Sequence, residues 1–144
     1  MINEILLKIV LEKPTEGVDF GLQKGNGSKY ETVQKQRSEG KDLRFECSIS
    51  VKKGKNTEFD FFGPFVQGPA GQRFIYIDIG TYAGQTNTQW SRRLKIPLIG
   101  IELEPVKGSE NSIKTFQTQI PGTGTDGGPN CATVKPFAGW KSKS

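Results

Sequence analysis

The chain has 144 residues, a net charge of +5, 18 Gly and 8 Pro. This length fits one domain with a single core, and the frequent Gly and Pro favour short strands joined by turns over long helices. The complete absence of His excludes His-based acid–base catalysis, His-containing catalytic triads and His-ligated metals.

Alternating apolar residues predict strands along the first half of the chain. The pattern predicts a first strand over residues 3–12, a hairpin formed by residues 18–22 and 30–37, a long strand over 42–53 and a short strand over 58–62. Each of these segments is bounded by Gly, Pro, Asn or Ser residues that favour turns.

The middle of the chain contains two Gly-rich loops separated by a strand. Residues 63–71 are rich in Gly and Pro, and a second loop begins at residue 80. Between them, residues 73–79 are apolar on both faces, which predicts a central strand covered on both sides. A long strand is expected over residues 91–104, with a bulge beside Pro97 where the apolar phase slips by one residue.

Apolar density falls after residue 104, so the sequence predicts a β domain over 1–104 and an irregular Gly/Pro-rich tail over 105–144, docked on the same domain. Residues 113–120 could add one edge strand. Phe137 and Trp140 are expected to anchor the tail on the body, or on a neighbouring subunit if the protein is a homodimer.

These elements predict an all-β fold of seven to eight antiparallel strands in meander order. The strands would close into a small barrel or fold into a two-sheet sandwich, followed by the irregular C-terminal tail.

The two cysteines are too few for a metal knuckle or a disulfide framework. Cys47 shares the apolar phase of its strand and is expected to be buried and unreactive, and whether it approaches Cys131 is left open. The N-terminus has no basic region or cleavage site, and no segment approaches the roughly 18 apolar residues that span a bilayer. We therefore expect a cytoplasmic protein with no membrane partner, no metal and no cofactor.

The strongest positive charge is expected between residues 79 and 101, which contain three basic residues and no acid. Arg can fork onto a carboxylate or phosphate, Gln can orient a hydroxyl and Trp offers a flat face to a ring. We predict a ligand site at loops 63–71 and 80–90, with Arg92 or Arg93 as the anchor, since alternation places these two on opposite faces. The candidate residues are Phe65, Gln67, Tyr82, Gln85, Trp90, Arg92, Arg93 and Lys95.

Three functions compete. The preferred one is non-enzymatic binding of a small polar or anionic ligand at these loops. The alternative is a single-stranded nucleic-acid-binding β-barrel that uses Phe74 and Tyr76 as stacking platforms, although both are expected to be core residues. The third is a His-free isomerase or hydrolase, which would need Asp19, Asp60 or Asp78 to lie beside a tyrosine.

Six sequence blocks, in order and at matching spacing, resemble the bacterial family catalogued as domain of unknown function 5990. The resemblance implies a bacterial, single-domain, cytoplasmic protein and supplies no catalytic residue, cofactor or ligand. The blocks are residues 18–25 (VDFGLQKG), 63–69 (GPFVQGP), 73–76 (RFIY), 83–85 (AGQ), 90–93 (WSRR) and 95–98 (KIPL).

Overall fold

A computed structural model of the chain describes residues 2–14, 16–25, 30–53, 59–69, 72–83, 87–99, 101, 113–121, 131–133 and 139–143. The described secondary structure is almost entirely β, as the alternating pattern predicts. The strands are β1 (Ile2–Glu12), β2 (Asp19–Lys24), β3 (Glu31–Arg37), β4 (Leu43–Lys53), β5 (Phe59–Phe62), β6 (Gly68–Pro69), β7 (Phe74–Ala83), β8 (Asn87–Pro97), β9 (Ile113–Pro121), β10 (Cys131–Thr133) and β11 (Lys141–Lys143).

The strands form two sheets that enclose one core. The first sheet has six strands in the order β11-β9-β1-β4-β5-β6, and the second has five in the order β10-β8-β7-β2-β3. The buried apolar residues of both sheets belong to a single cluster. The side chains of this cluster alternate along β1, β4, β7 and β8, so each sheet has an inner face turned to the core and an outer face turned away from it.

The two-sheet sandwich is confirmed. No described strand of one sheet pairs with a described strand of the other, so the barrel alternative is not the observed one. One corner of the sandwich is instead closed by side chains of the edge strand β3. The Gln36 amide donates to the Arg44 carbonyl (2.6 Å), and the Glu46 amide donates to Gln34 Oε1 (3.4 Å), which satisfies part of the open edge of β4.

The strand order departs from the predicted meander. The hairpins β2–β3, β4–β5 and β7–β8 are local, but β1 pairs with β4 in an antiparallel ladder and with β9 in a parallel one. β2 likewise pairs with the distant β7. Alternation determines which face of a strand is buried but does not identify its neighbours, and β1 needs partners on both edges to satisfy its buried backbone groups.

The long strand predicted over residues 91–104 is shorter and begins earlier. β8 starts at Asn87 and ends at Pro97, after which the Leu98 amide donates to the Arg73 carbonyl at 3.0 Å. The irregularity lies between Ile79 and Gly80 of β7, which face Arg92 and Trp90, so Ser91 is the extra residue. Pro97 therefore terminates the strand instead of marking a bulge inside it.

Three strands lie within the segment that the sequence assigns to an irregular tail. β9 is an interior strand between β1 and β11, not an edge strand, while β10 extends the other sheet beside β8. Trp140 is buried, and its indole nitrogen donates to the Pro97 carbonyl at 2.8 Å, as expected of an anchor. Phe137 lies outside the described residues.

In the described part of the chain, no helix has the length and apolar character needed to cross a membrane.

Candidate functional site

An ion pair lies on the outer face of the five-stranded sheet, between β7 and β8. Asp78 and Arg93 are directly opposite in the ladder, and the guanidinium grips the carboxylate with two bonds of 2.6 and 3.1 Å. The Asp78 residue is only 6% exposed. Arg93, one of the two predicted anchors, is therefore already engaged by a carboxylate of its own sheet.

Aromatic rings surround this ion pair. The Arg93 guanidinium carbon lies 4.0 Å from the centroid of the Tyr30 ring and 5.3 Å from that of Tyr76, and the two tyrosine rings meet edge to face at 5.5 Å. Loss of solvation raises the pKa of Tyr30, and the neighbouring Tyr76 raises it further. We refer to Tyr30, Tyr76, Asp78 and Arg93 as the outer cluster.

A second cation–ring pair continues the outer cluster along β8. The Lys95 ammonium lies 4.5 Å from the centroid of the Phe74 ring, and both residues are partly buried. Phe74 and Tyr76 were expected to be core residues, but they occupy the outer face, opposite Pro97 and Lys95. The core positions of β7 are taken by Ile75, Ile77 and Ile79 instead.

The outer face also holds a second buried carboxylate. Asp19 is fully buried and accepts hydrogen bonds from Arg37 at 2.8 and 3.4 Å, with the Lys35 ammonium 3.9 Å away. Asp19 and Asp78 lie diagonally across the β2–β7 ladder, because Asp19 faces Gly80 and Asp78 faces Gly21. Each carboxylate is thus held by an arginine from the flanking strand, which fits a structural ion pair better than an acid–base dyad.

Arg92 has the opposite environment to its neighbour Arg93. It faces Ile79 in the ladder, a core residue only 2% exposed, so its side chain starts on the inner face. Its Nη1 atom is buried and has no hydrogen-bond partner. The prediction that the two arginines lie on opposite faces is confirmed, and the partner-less guanidinium nitrogen belongs to the inward one.

Thr118 provides the second buried side-chain atom without a partner. Its hydroxyl is on β9, in phase with the buried Phe116 and Ile120, and the residue is 1% exposed. In the described part of the chain, Arg92 Nη1 and Thr118 Oγ1 are the buried side-chain polar atoms that lack a hydrogen bond. Both lie on inner faces, one in each sheet.

The two Gly-rich loops do not form a common mouth. The first lies at the start of β7: Gly68 adopts a φ of +121°, and a Cβ built on it would stand 2.4 Å from Arg73 Nε. The Gly25 amide, just beyond the end of β2, also donates to the Pro64 carbonyl. The second loop joins the far end of β7 to β8, and ten strand residues place it about 30 Å away.

The remaining predicted site residues are distributed as follows. Phe65 packs against the core, and Gln67 is exposed in the first loop. Tyr82 and Trp90 belong to β7 and β8, where they face Thr88 and Gly80 in the ladder. Gln85 lies outside the described residues. The structure therefore associates Arg93 and Lys95 with the outer cluster and Arg92 with the core, and it leaves the Phe65 loop at a separate end.

Three residues of these sites were not among the predicted ones. The Asp78–Arg93 pair could have been found from the hairpin register, had the bulge been placed correctly. Tyr30 and Thr118 carry no such signal, because their positions depend on strand pairings that the sequence pattern does not reveal. No cluster of three or more Cys, Asp or Glu side chains suited to a metal occurs within the described ranges.

One family model matches the chain over residues 5–143, and its description is "Family of unknown function (DUF5990)". This match confirms the resemblance carried by the six sequence blocks. No curated protein and no solved structure matches the chain.

Proposed function

The chain belongs to the DUF5990 family of unknown function, and since that membership assigns no activity, we propose from its own residues that it binds a small anionic ligand through Arg92. The proposal retains the predicted ligand class and one of the two predicted anchors. It replaces the shared mouth of the two loops by the inner face of β8.

The observation that carries the proposal is the buried, unpartnered Arg92 Nη1 atom. A buried donor without an acceptor costs about 1–3 kcal/mol, and more when it belongs to a charged group. A ligand oxygen at this position would remove that cost and gain a charge-assisted hydrogen bond. The guanidinium geometry suits a carboxylate or a phosphate, since both present two oxygens to its fork.

The surrounding charges support the same choice of anchor. Arg93 is neutralised by Asp78 on the outer face, whereas Arg92 faces apolar Ile79 and is followed on the same face by Leu94. The sequence from residue 79 to residue 101 contains no acid that could serve as a local counter-ion. An external anion supplies the negative charge that this stretch lacks.

A thermal-shift screen of the purified protein against inorganic phosphate, sulfate and a series of carboxylates tests the proposal. A ligand at 100 times its Kd stabilises the folded state by about 2.7 kcal/mol, which is roughly 5–11 °C in Tm for a chain of this size. We expect the shift to disappear in Arg92→Gln and to persist in the control Arg44→Gln, where an exposed arginine of β4 is removed. Equal shifts in both variants would refute the proposal.

A second candidate function, single-stranded nucleic-acid binding, is favoured by the outer cluster. Phe74 and Tyr76 occupy the outer face beside Lys95 and Arg93, so aromatic rings and cations alternate on a surface that a strand of bases could follow. Two features weaken it: the cations cover the ring faces, and Arg93 is bound to Asp78. For these reasons it ranks second.

Fluorescence anisotropy with a labelled oligothymidine separates the two candidates. Nucleic-acid binding predicts an affinity that falls steeply with salt, with Lys95→Gln reducing the slope of log K against log salt by about one. Arg92→Gln should leave that binding unchanged, because Arg92 is on the other face of the sheet. Absence of binding at low salt would exclude this candidate without affecting the anion site.

A further inference from the structure

The two unpartnered polar atoms lie on the same side of the sandwich. Arg92 is in β8 and Thr118 in β9, and the register places Trp140 beside Thr118, because the next residue, Lys141, faces Gln117. The Trp140 indole donates to the Pro97 carbonyl at the end of β8. The β9–β11 side of one sheet therefore packs against the β8 side of the other.

The layer between these two atoms is apolar. Along β8 the inner face continues from Arg92 to Leu94 and Ile96, and Thr118 is flanked on its own strand by Phe116 and Ile120, all buried. Among the described inner-face residues of β8 and β9, Arg92 is the sole cation. A ligand suited to this layer carries one negative charge, because further anionic groups would be buried without a counter-ion.

We propose that the ligand of Arg92 is an amphiphilic carboxylate whose apolar body lies in the layer between the two sheets. Its carboxylate binds the Arg92 guanidinium, and a second oxygen on the apolar body bonds to the Thr118 hydroxyl. This assignment rests on the proposed anion binding at Arg92 and names the class of ligand that the same site takes. It accounts for both buried polar atoms that lack a partner with one ligand.

Titration calorimetry with acetate, hexanoate, decanoate and 10-hydroxydecanoate tests the assignment. Each buried methylene strengthens binding by about fourfold, so hexanoate should bind at least about tenfold more tightly than acetate even if burial is incomplete. All of this binding should be lost in Arg92→Gln. The 10-hydroxy compound should bind more tightly than its apolar counterpart would after the cost of dehydrating the hydroxyl is included.

The Thr118→Val variant tests the second contact, because valine keeps the shape of threonine without its hydroxyl. We expect it to weaken 10-hydroxydecanoate by about threefold to tenfold and to leave decanoate unchanged. Thr118→Ser keeps the hydroxyl and should retain the preference. Thr115→Val, on the same strand but in the opposite phase, is the matched control and should change neither affinity.

The possible results separate this inference from the anion site itself. Arg92-dependent binding that strengthens with chain length and loses its hydroxyl preference in Thr118→Val supports the assignment. If phosphate or acetate binds through Arg92 while longer carboxylates bind no better, the amphiphile is refuted and the anion site stands. If Thr118→Val weakens both decanoates equally or neither, the Thr118 contact is refuted. If no anion requires Arg92, both proposals fail.

Discussion

Replacing Arg92 and Arg93 one at a time by methionine should change stability in opposite directions, although the two residues are adjacent. Methionine keeps much of the length and apolar stem of arginine and removes the charge and the hydrogen-bond donors. Any difference between the two variants therefore reports on what each guanidinium contacts.

For Arg93→Met, the structure predicts a large loss. The variant removes both bonds to Asp78, of 2.6 and 3.1 Å, and leaves that carboxylate buried without a partner. Breaking a buried ion pair on one side costs about 3–5 kcal/mol. Replacing Asp78 by leucine in the same molecule should recover much of this loss, because the unpaired charge is removed as well.

For Arg92→Met, the structure predicts no loss and up to about 2 kcal/mol of gain in the ligand-free protein. The variant removes a buried donor that has no acceptor, which relieves about 1–3 kcal/mol, less whatever packing the guanidinium supplies. Urea unfolding followed by tryptophan fluorescence measures both variants, with equal m-values as the check on two-state behaviour. A loss above about 2 kcal/mol for Arg92→Met would show that this guanidinium has a stabilising partner, and would refute the reasoning.

Three further variants test the anchor, the buried thiol and the closed corner. Trp140→Phe removes the donor to the buried Pro97 carbonyl and should cost about 1–3 kcal/mol in urea unfolding, whereas an unchanged midpoint would show that the anchor is idle. Burial raises the pKa of Cys47 from 9.0 to about 12, so the unfolded thiol ionises first and stability falls as pH rises from 9 towards 12; Cys47→Val should lack this loss, which amounts to about 2 kcal/mol at pH 10.5 in unfolding free energy compared with pH 8. Replacing Gln34 and Gln36 together by leucine opens the edge of β4 and should lower stability by about 1–2 kcal/mol and promote self-association in sedimentation velocity, and a monomer of unchanged stability would contradict this role.

Local alternation predicts the faces of strands well in this chain. The strand expected over residues 42–53 is β4, and its buried positions include Cys47 as predicted. The opposite orientation of Arg92 and Arg93 follows from the same period of two and is observed. These features depend only on residues next to one another, so one sequence contains enough information to assign them.

Strand partners and the position of the loops could not be predicted in this way. The parallel pairing of β1 with β9 joins residues more than a hundred positions apart, and no local pattern encodes it. The separation of the two Gly-rich loops has the same origin, since it depends on how β7 extends beyond its pairing with β2. Sequence proximity suggested one site, whereas the length of β7 places its ends far apart.

Phe74 and Tyr76 show a different kind of ambiguity. A strand that is apolar on both faces is expected to be covered on both sides, and β7 is indeed an interior strand. Its outer face is covered in part by the side chains of Lys95 and Arg93, which lie over aromatic rings. Composition alone cannot distinguish an aromatic residue packed under a second layer from one packed under a cation.

The contrast between the inner and outer faces of β8 supports a ligand site on the inner one. On the outer face, every described buried carboxylate has an arginine within hydrogen-bond distance, so the fold pairs its charges where it keeps them. On the inner face, Arg92 and Thr118 keep buried polar atoms without partners, at a cost that an apolar side chain would avoid. A sequence that satisfies its local rules elsewhere and breaks them at two positions facing the same apolar layer has the pattern expected of a binding site, where stability is given up for an interaction made with another molecule.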